Sequence, residues 1–275
     1  MKKNMRIRKN LRRALGALAL LLDLMTGCVA GVVNLDDDWD HSGQFEASAT
    51  FSQTLALEDQ LAISVTGGNG IVRIWGVPGA QEVKVDAVRR VRSDSRQDAE
   101  EHLAYLQVST RAWPHEFEIK TVQPNQSSGR TYIVDYEIVV PAHLLTKVAN
   151  GNGSVRIEDL DADVEVANGN GDVALTDVTG SSWVSVGNGE ISAWTHLPDG
   201  GQIVHTIGNG TILLSVQPKV SAAFSAKVGN GTINLTGLDL QNVVSGPHHL
   251  QGVLGSGSGL IDLSSGNGQI RVQGG

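Results

Sequence analysis

The chain has a single cysteine, Cys28, among 275 residues. No intrachain disulfide can form, and no cysteine cluster can bind a metal. Aromatic residues are scarce at 4%, whereas glycine reaches 33, a balance that suits small side chains and many turns. Proline stands at 7 without any Pro/Gly-rich tract, which argues against disorder throughout. No serine sits in a G-x-S-x-G elbow, and no glycine-rich loop carries the Lys and Ser/Thr of a P-loop. The length allows one or two domains with ample material for a core.

What is present begins with "MKKNMRIRKNLRR", which holds seven Lys/Arg and no acid. The apolar run "ALGALALLL" follows, and it is too short to span a bilayer. It leads to Met25-Thr26-Gly27-Cys28, which resembles a bacterial lipobox, where small residues precede a cysteine that becomes the lipidated N-terminus. Residues 1–27 are therefore expected to be a lipoprotein-type signal peptide and Cys28 the lipidation site. This resemblance implies a cell-envelope protein whose membrane partner is reached through an N-terminal lipid anchor. Val29 after the cysteine favours the outer membrane of a Gram-negative cell. Removing residues 1–27 takes away seven Lys/Arg and one acid, which leaves 14 basic and 28 acidic residues and a net charge of −14. Such a surface repels phosphate backbones, so nucleic acid is excluded as a partner. Residues 28–52 are acidic, carry Ser and Ala, and lack sustained periodicity; they are expected to be a tether. The cluster Asp36, Asp37, Asp38, Asp40 and His41 within it reads as a solvated spacer.

Over residues 53–147 the segments "LAISV", "IVRIW" and "VKVDAV" alternate apolar and polar residues in the strand period. One interruption, "SDSRQDAEEHLAYLQV", has cap candidates from Ser93 to Ser95 and Ala99, Leu103 and Leu106 at helical spacing, which predicts a helix over 95–106. Strands resume with "FEIKTV" and "TYIVDYEIVV".

Over residues 148–275 a glycine-centred phrase recurs, with one earlier copy. Aligned on the last glycine, the copies end at Gly70, Gly153, Gly171, Gly189, Gly210, Gly231, Gly259 and Gly268. Two residues later every copy has Val or Ile, and four residues later all but one has Ile, Leu or Val. That is a strand with one buried face, begun each time by the same turn. Val173 is expected inside, and Asp172 in water. Identical strands once per repeat predict a parallel β-solenoid whose rungs lie about 4.8 Å apart, with aliphatic columns inside. Asn-Gly takes positive φ readily, so the phrase is a corner. Asn69, Asn152, Asn170, Asn188, Asn209, Asn230 and Asn267 at that corner are expected to stack as an amide ladder. The short final spacing predicts that residues 260–263 and 269–272 form an antiparallel hairpin closing the stack.

Chemistry at these corners finds little support. Calcium-binding β-rolls need Asp where "GGNGIV" has Val72. Asp159, Asp161 and Asp163 alternate and could clamp a calcium ion, yet they also fit a polar outer face. His248-His249 has no third ligand nearby. Arg156 and Arg271 are the only arginines of the repeat region, and its acids are scattered. Trp183 and Trp194 are candidate sugar-stacking platforms or packing residues. No cofactor or metal is expected.

The order "GGNGIVRIWG", "DAEEHLAYL", "VDYEIVVPAHLLTKVANGNGSVRIEDL" and tandem GNG coils resembles the bacterial putative-adhesin family of β-strand repeats. That family is a domain of unknown function related to the auto-transporter adhesin head GIN domain. The resemblance spans about residues 53–275. It implies an all-β fold, a right-handed single-stranded parallel β-helix with one short helix inserted in the N-terminal part, and no enzyme activity. The function expected is non-catalytic surface interaction or adhesion with an envelope ligand, either protein or polysaccharide. A carbohydrate-active β-helix enzyme and an envelope-stress sensor stand as alternatives.

Cys28 is predicted to be the first residue of the mature protein and to carry lipid. Mass spectrometry should find an acylated Cys28 N-terminus, and Cys28→Ala should leave the membrane fraction. A free thiol, or a membrane-bound Cys28→Ala protein, would reject the assignment.

Overall fold

The computed structural model describes residues 45–275. Residues 1–27, read above as a signal peptide, together with Cys28 and the acidic cluster at 36–41, lie outside the described residues. Seventeen strands and one helix are present among them, so the chain is all-β with a single short helix.

The strands lie along two sides. The first runs β5 (Gln107–Trp113), β6 (Glu116–Val122), β2 (Ala62–Thr66), β8 (Leu145–Asn152) and β10 (Val164–Asn170). The second runs β1 (Phe45–Ala56), β4 (Glu82–Ser93), β7 (Thr131–Pro141), β3 (Val72–Val77), β9 (Val155–Leu160) and β11 (Val173–Thr179). Both sides then continue into four long strands that turn the corner and belong to each: β12 (Ser182–His196), β13 (Gln202–Val216), β17 (Gly259–Gly274) and β14 (Ala222–Thr236). On the first side only, β16 (His249–Leu254) and β15 (Leu240–Gly246) follow β14 antiparallel.

Pairing is therefore mixed. A parallel stack from β2 and β3 to β14 is flanked by antiparallel ladders, β1–β4–β7 and β5–β6 at one end and β14–β16–β15 at the other. The expected uniformly parallel, single-stranded coil does not describe the whole. The antiparallel ladders extend both sides at the first end of the stack and only the first side at the other.

Two further expectations are corrected. The tether does not extend to residue 52, because β1 pairs with β4 from Phe45↔Ser93 to Ala56↔Glu82. Its polar composition hid a strand that touches the core on one face only, through Ala47, Phe51 and Leu55. The C-terminal hairpin does not form either. Residues 260–263 and 269–272 belong to one strand, β17, which pairs parallel with β13 on one edge and β14 on the other. Gly259 opens that strand and is no corner, while Ile261 and Leu263 join the core of the first side. The chain thus lays β14 down one position away from β13 and returns with β17 to fill the gap.

The columns inside explain why this register wins. Val72, Val155, Val173, Ile191, Ile212, Ile270 and Ile233 stand opposite one another from rung to rung. A second column runs Ile74, Ile157, Leu175, Ala193, Leu214, Val272 and Leu235. Each fully buried aliphatic contributes about 1.5–3 kcal/mol, and a one-residue slip would send every one of them to water.

The helix α1 (Arg96–Leu103) starts where expected, with the Asp98 N–H donating to Ser95 Oγ at 3.2 Å. It stops three residues early, because Leu106 is drawn into the core after a turn. Arg130 anchors it by donating from Nε and Nη2 to the two Asp98 carboxylate oxygens, each at 2.6 Å. Those bonds, with one from Ser93, hold the Asp98 carboxyl well below the usual range.

Val173→Asp should unfold the stack, because an unpaired carboxylate at a fully buried position costs on the order of several kcal/mol. Asp172 is exposed, but its Oδ1 accepts the Glu190 N–H of the next rung at 3.0 Å. Asp172→Ala should therefore cost about 1 kcal/mol rather than nothing. Thermal melts of the two variants check this; equal melting temperatures would mean that the strand faces are reversed.

Candidate interaction surface

The corner comes first, because it orients everything outside it. Gly70, Gly153, Gly171, Gly189, Gly210, Gly231 and Gly268 all have positive φ, from 114° to 145°. A Cβ at Gly171 would lie 2.3 Å from the Gly153 carbonyl oxygen, and one at Gly189 2.4 Å from that of Gly171. Only glycine fits both the conformation and the gap.

Beside these glycines the asparagine amides form a continuous ladder. Asn152 donates to Asn69, Asn170 to Asn152, Asn188 to Asn170, Asn209 to Asn188, Asn267 to Asn209 and Asn230 to Asn267, all at 2.7–2.8 Å. At the other end Asn69 Nδ2 donates to the Tyr132 carbonyl at 3.0 Å. Sequence reasoning missed the first asparagine of the phrase. Asn150 and Asn168 turn inward; Asn168 Nδ2 donates to the Gly153 and Gly171 carbonyls at 2.9 and 3.0 Å, and Asn150 Nδ2 to Asn168 Oδ1 at 3.3 Å. The signal was there, since V-A-N-G-N-G occurs in full only in those two copies, and later rungs carry Val186, Ile207 and Val228 instead.

Outside the corner, β12 presents a half-exposed tryptophan on each side. Trp183 stands between Glu165 and Val204, above a shallow trough floored by Ala149, Ala167 and Ser185. Lys147 Nζ lies 3.7 Å from Glu165 Oε2 at its rim, an exposed pair of little energetic weight. Trp194 stands between Thr176 and Ser215, over a second trough bordered by Ala174, Ser192 and Arg271. The His196 ring meets Trp194 edge-on, with centroids 5.6 Å apart. Trp75 occupies the same outward column as Trp194, three rungs away, which is about 14 Å.

The other sequence candidates are not brought together. Asp159 sits in a left-handed bulge near the end of β9, Asp161 and Asp163 lie in the following turn, and Asp163 Oδ1 accepts the Ser181 N–H at 2.7 Å. The three acids therefore do not alternate on one strand face. Burial, then the charges of Asp177, Glu158 and Asp161, pushes the Asp159 carboxyl up. Among the described residues no group of three or more His, Cys, Asp or Glu could hold a metal ion. Arg156 and Arg271 share an outward column but stand four rungs, about 19 Å, apart. His248 lies in the β15–β16 turn, where its carbonyl accepts the Val228 N–H at 2.9 Å, and His249 opens β16.

Two ionisable side chains are fully buried among the described residues: Tyr136, whose pKa burial pushes up to about 12, and His205. His205 lies in the inner column between Val184 and Leu263, with Nε2 2.9 Å from Ser182 Oγ and Nδ1 without a hydrogen-bond partner. Burial pushes its pKa down to about 3. It is a neutral core residue shielded from any substrate on the surface.

No family model matches the chain, and no curated protein does. Among solved structures it is similar to a putative cell adhesion protein from Clostridium sporogenes, at 12% identity and a TM-score of 0.47, covering 82% of this chain and 100% of that one. It is also similar to a putative adhesin from Bacteroides fragilis, at 7% identity and a TM-score of 0.30, covering 81% and 96%. A third is a putative lipid binding protein from Parabacteroides distasonis, at 10% identity and a TM-score of 0.25, covering 82% and 95%. Likeness at that distance does not assign the chain to a family.

The His205 environment gives a pH prediction. Its folded pKa of about 3 is below the unfolded value near 6.5, so the unfolded state binds the extra proton between them. Stability is full above about pH 6.5 and falls by about 1.4 kcal/mol per pH unit towards pH 3. Denaturant melts of His205→Leu should show a flatter acid limb from pH 6.5 to 4. An unchanged slope would mean that His205 is protonated in the fold.

Proposed function

We infer that the chain is a non-catalytic recognition module of the cell envelope, held to the membrane by lipid on Cys28. Residues 28–44 serve as the tether, and the parallel stack is a right-handed β-helix that displays its sides to a surface polysaccharide. The outer membrane is the favoured location. The observation that carries this reading is the pair of tryptophans on β12, each half-exposed over an open trough of small side chains. Flat aromatic faces beside small, largely uncharged residues accept the apolar face of a sugar ring, and stacking removes apolar area of both from water. Rungs at regular spacing match a polymer with a repeating unit. The adhesion role suggested by the sequence agrees with this reading.

Trp183→Ala and Trp194→Ala should each weaken binding to purified envelope polysaccharide by roughly ten-fold, about 1.4 kcal/mol, with melting temperatures nearly unchanged. Isothermal titration with the full chain checks this. Affinity unaffected in both variants would overturn the site. Binding of an envelope protein but no glycan would replace the ligand class, and turnover abolished by a surface-carboxylate substitution would replace the binding reading with a catalytic one.

A further inference from the structure

The two sides of the stack end unevenly. On the first side β14 is followed by β16 and β15. On the second side its later half, residues 231–236, pairs with β17 and with no other strand among the described residues. The first side therefore projects two strands, about 10 Å, past the second.

Edge strands in stable proteins are normally guarded by a charge, a proline or a bulge. This one has none. Residues 228–238, "VGNGTINLTGL", contain no charged residue and no proline, and pairing with β17 runs without a register shift. The neighbouring free strand, β15, is by contrast bulged, with Asn242 at φ 50° and a register shift before Val244.

Three features at the bare edge are incomplete in a specific way. Ile233 and Leu235 remain half-exposed, although their column neighbours Ile212, Ile270, Leu214 and Val272 are at most 1% exposed. The outward backbone groups of residues 231–236 face no neighbouring strand among the described residues. Asn230 donates to Asn267, but its own Oδ1 has no donor among the described residues, so the ladder ends on an open acceptor. All three would be satisfied by one more parallel strand with aliphatic residues at alternate positions and an amide N–H at the corner.

We propose that this edge is a strand-addition site that takes an extended, uncharged segment of a partner polypeptide in parallel register. β17 is the precedent within the molecule, since it adds to this same strand from a distant stretch of the chain and brings Asn267, Ile270 and Val272 into register with Asn230, Ile233 and Leu235. A second whole copy does not fit as well. The β16–β15 hairpin overhangs the edge and holds a broad body away, while a single extended segment enters the notch. The Trp194 trough reaches the outer face of this strand at Asn234 and Thr236, whereas the added segment pairs along its free edge.

The probe is a labelled peptide with the sequence of residues 207–216, "IGNGTILLSV", titrated into the full chain by fluorescence anisotropy. Saturable binding is expected. It should weaken at least ten-fold with a peptide N-methylated at alternate residues, and also with Ile233→Lys, which puts a charge at the edge. Val244→Lys on β15 should leave it unchanged. Equal binding of the methylated peptide would overturn the proposal, as would binding insensitive to Ile233→Lys in a protein with a normal melt. If Ile233→Lys fails to fold, the methylated peptide on the wild-type chain decides alone. A wild-type dimer in sedimentation that the unlabelled peptide does not dissociate would assign the edge to a second copy instead.

Discussion

Backbone contact at one corner governs this molecule. Where each rung turns, the glycine α-carbon faces the carbonyl oxygen of the rung beneath, leaving no room for a side chain. Once that distance is fixed, the asparagine amides fall at hydrogen-bonding separation, and the residues two and four positions on must face inward. Columns of Val and Ile then follow from the corner. The corner thus sets the register, and the aliphatic columns supply most of the stability.

That logic also explains how far the sequence could be read. Positions after each corner glycine were legible, because Asn-Gly and a two-residue apolar period are both local signals. The helix start at Ser95 was legible for the same reason. The place of β17 was not, because insertion between β13 and β14 depends on residues far apart in the chain, and a local pattern carries no order of assembly. Gly259 looked like a corner because "GSG" mimics the phrase, yet it follows the β16–β17 turn and opens the first side of its strand. β1 was missed because a strand at the border of the stack needs few apolar residues. Of the surface features, the tryptophans could be named from sequence, but their placement on opposite sides of the same rung required the register.

Polar groups inside the stack are few and are treated differently. Asn168 satisfies two corner carbonyls, whereas Thr195, Ser265 and the His205 Nδ1 are buried without partners. The latter lie on β12, β13 and β17, the strands around the out-of-order insertion. An unpaired buried hydroxyl costs about 1–3 kcal/mol, so this part of the stack is held less tightly than the asparagine-bearing rungs.

The insertion of β17 has a consequence for how the chain assembles during synthesis or export. From β8 to β13 the rungs can be added in the order in which they emerge, each onto a finished neighbour. β14 cannot, because its parallel partner is still 23 residues away when Thr236 appears and the slot beside β13 is reserved for residues that have not arrived. For that interval the chain carries two unmatched edges instead of one. Arrival of residues 259–274 seals both in a single step, so completion of the fold registers that the chain has been delivered through that point.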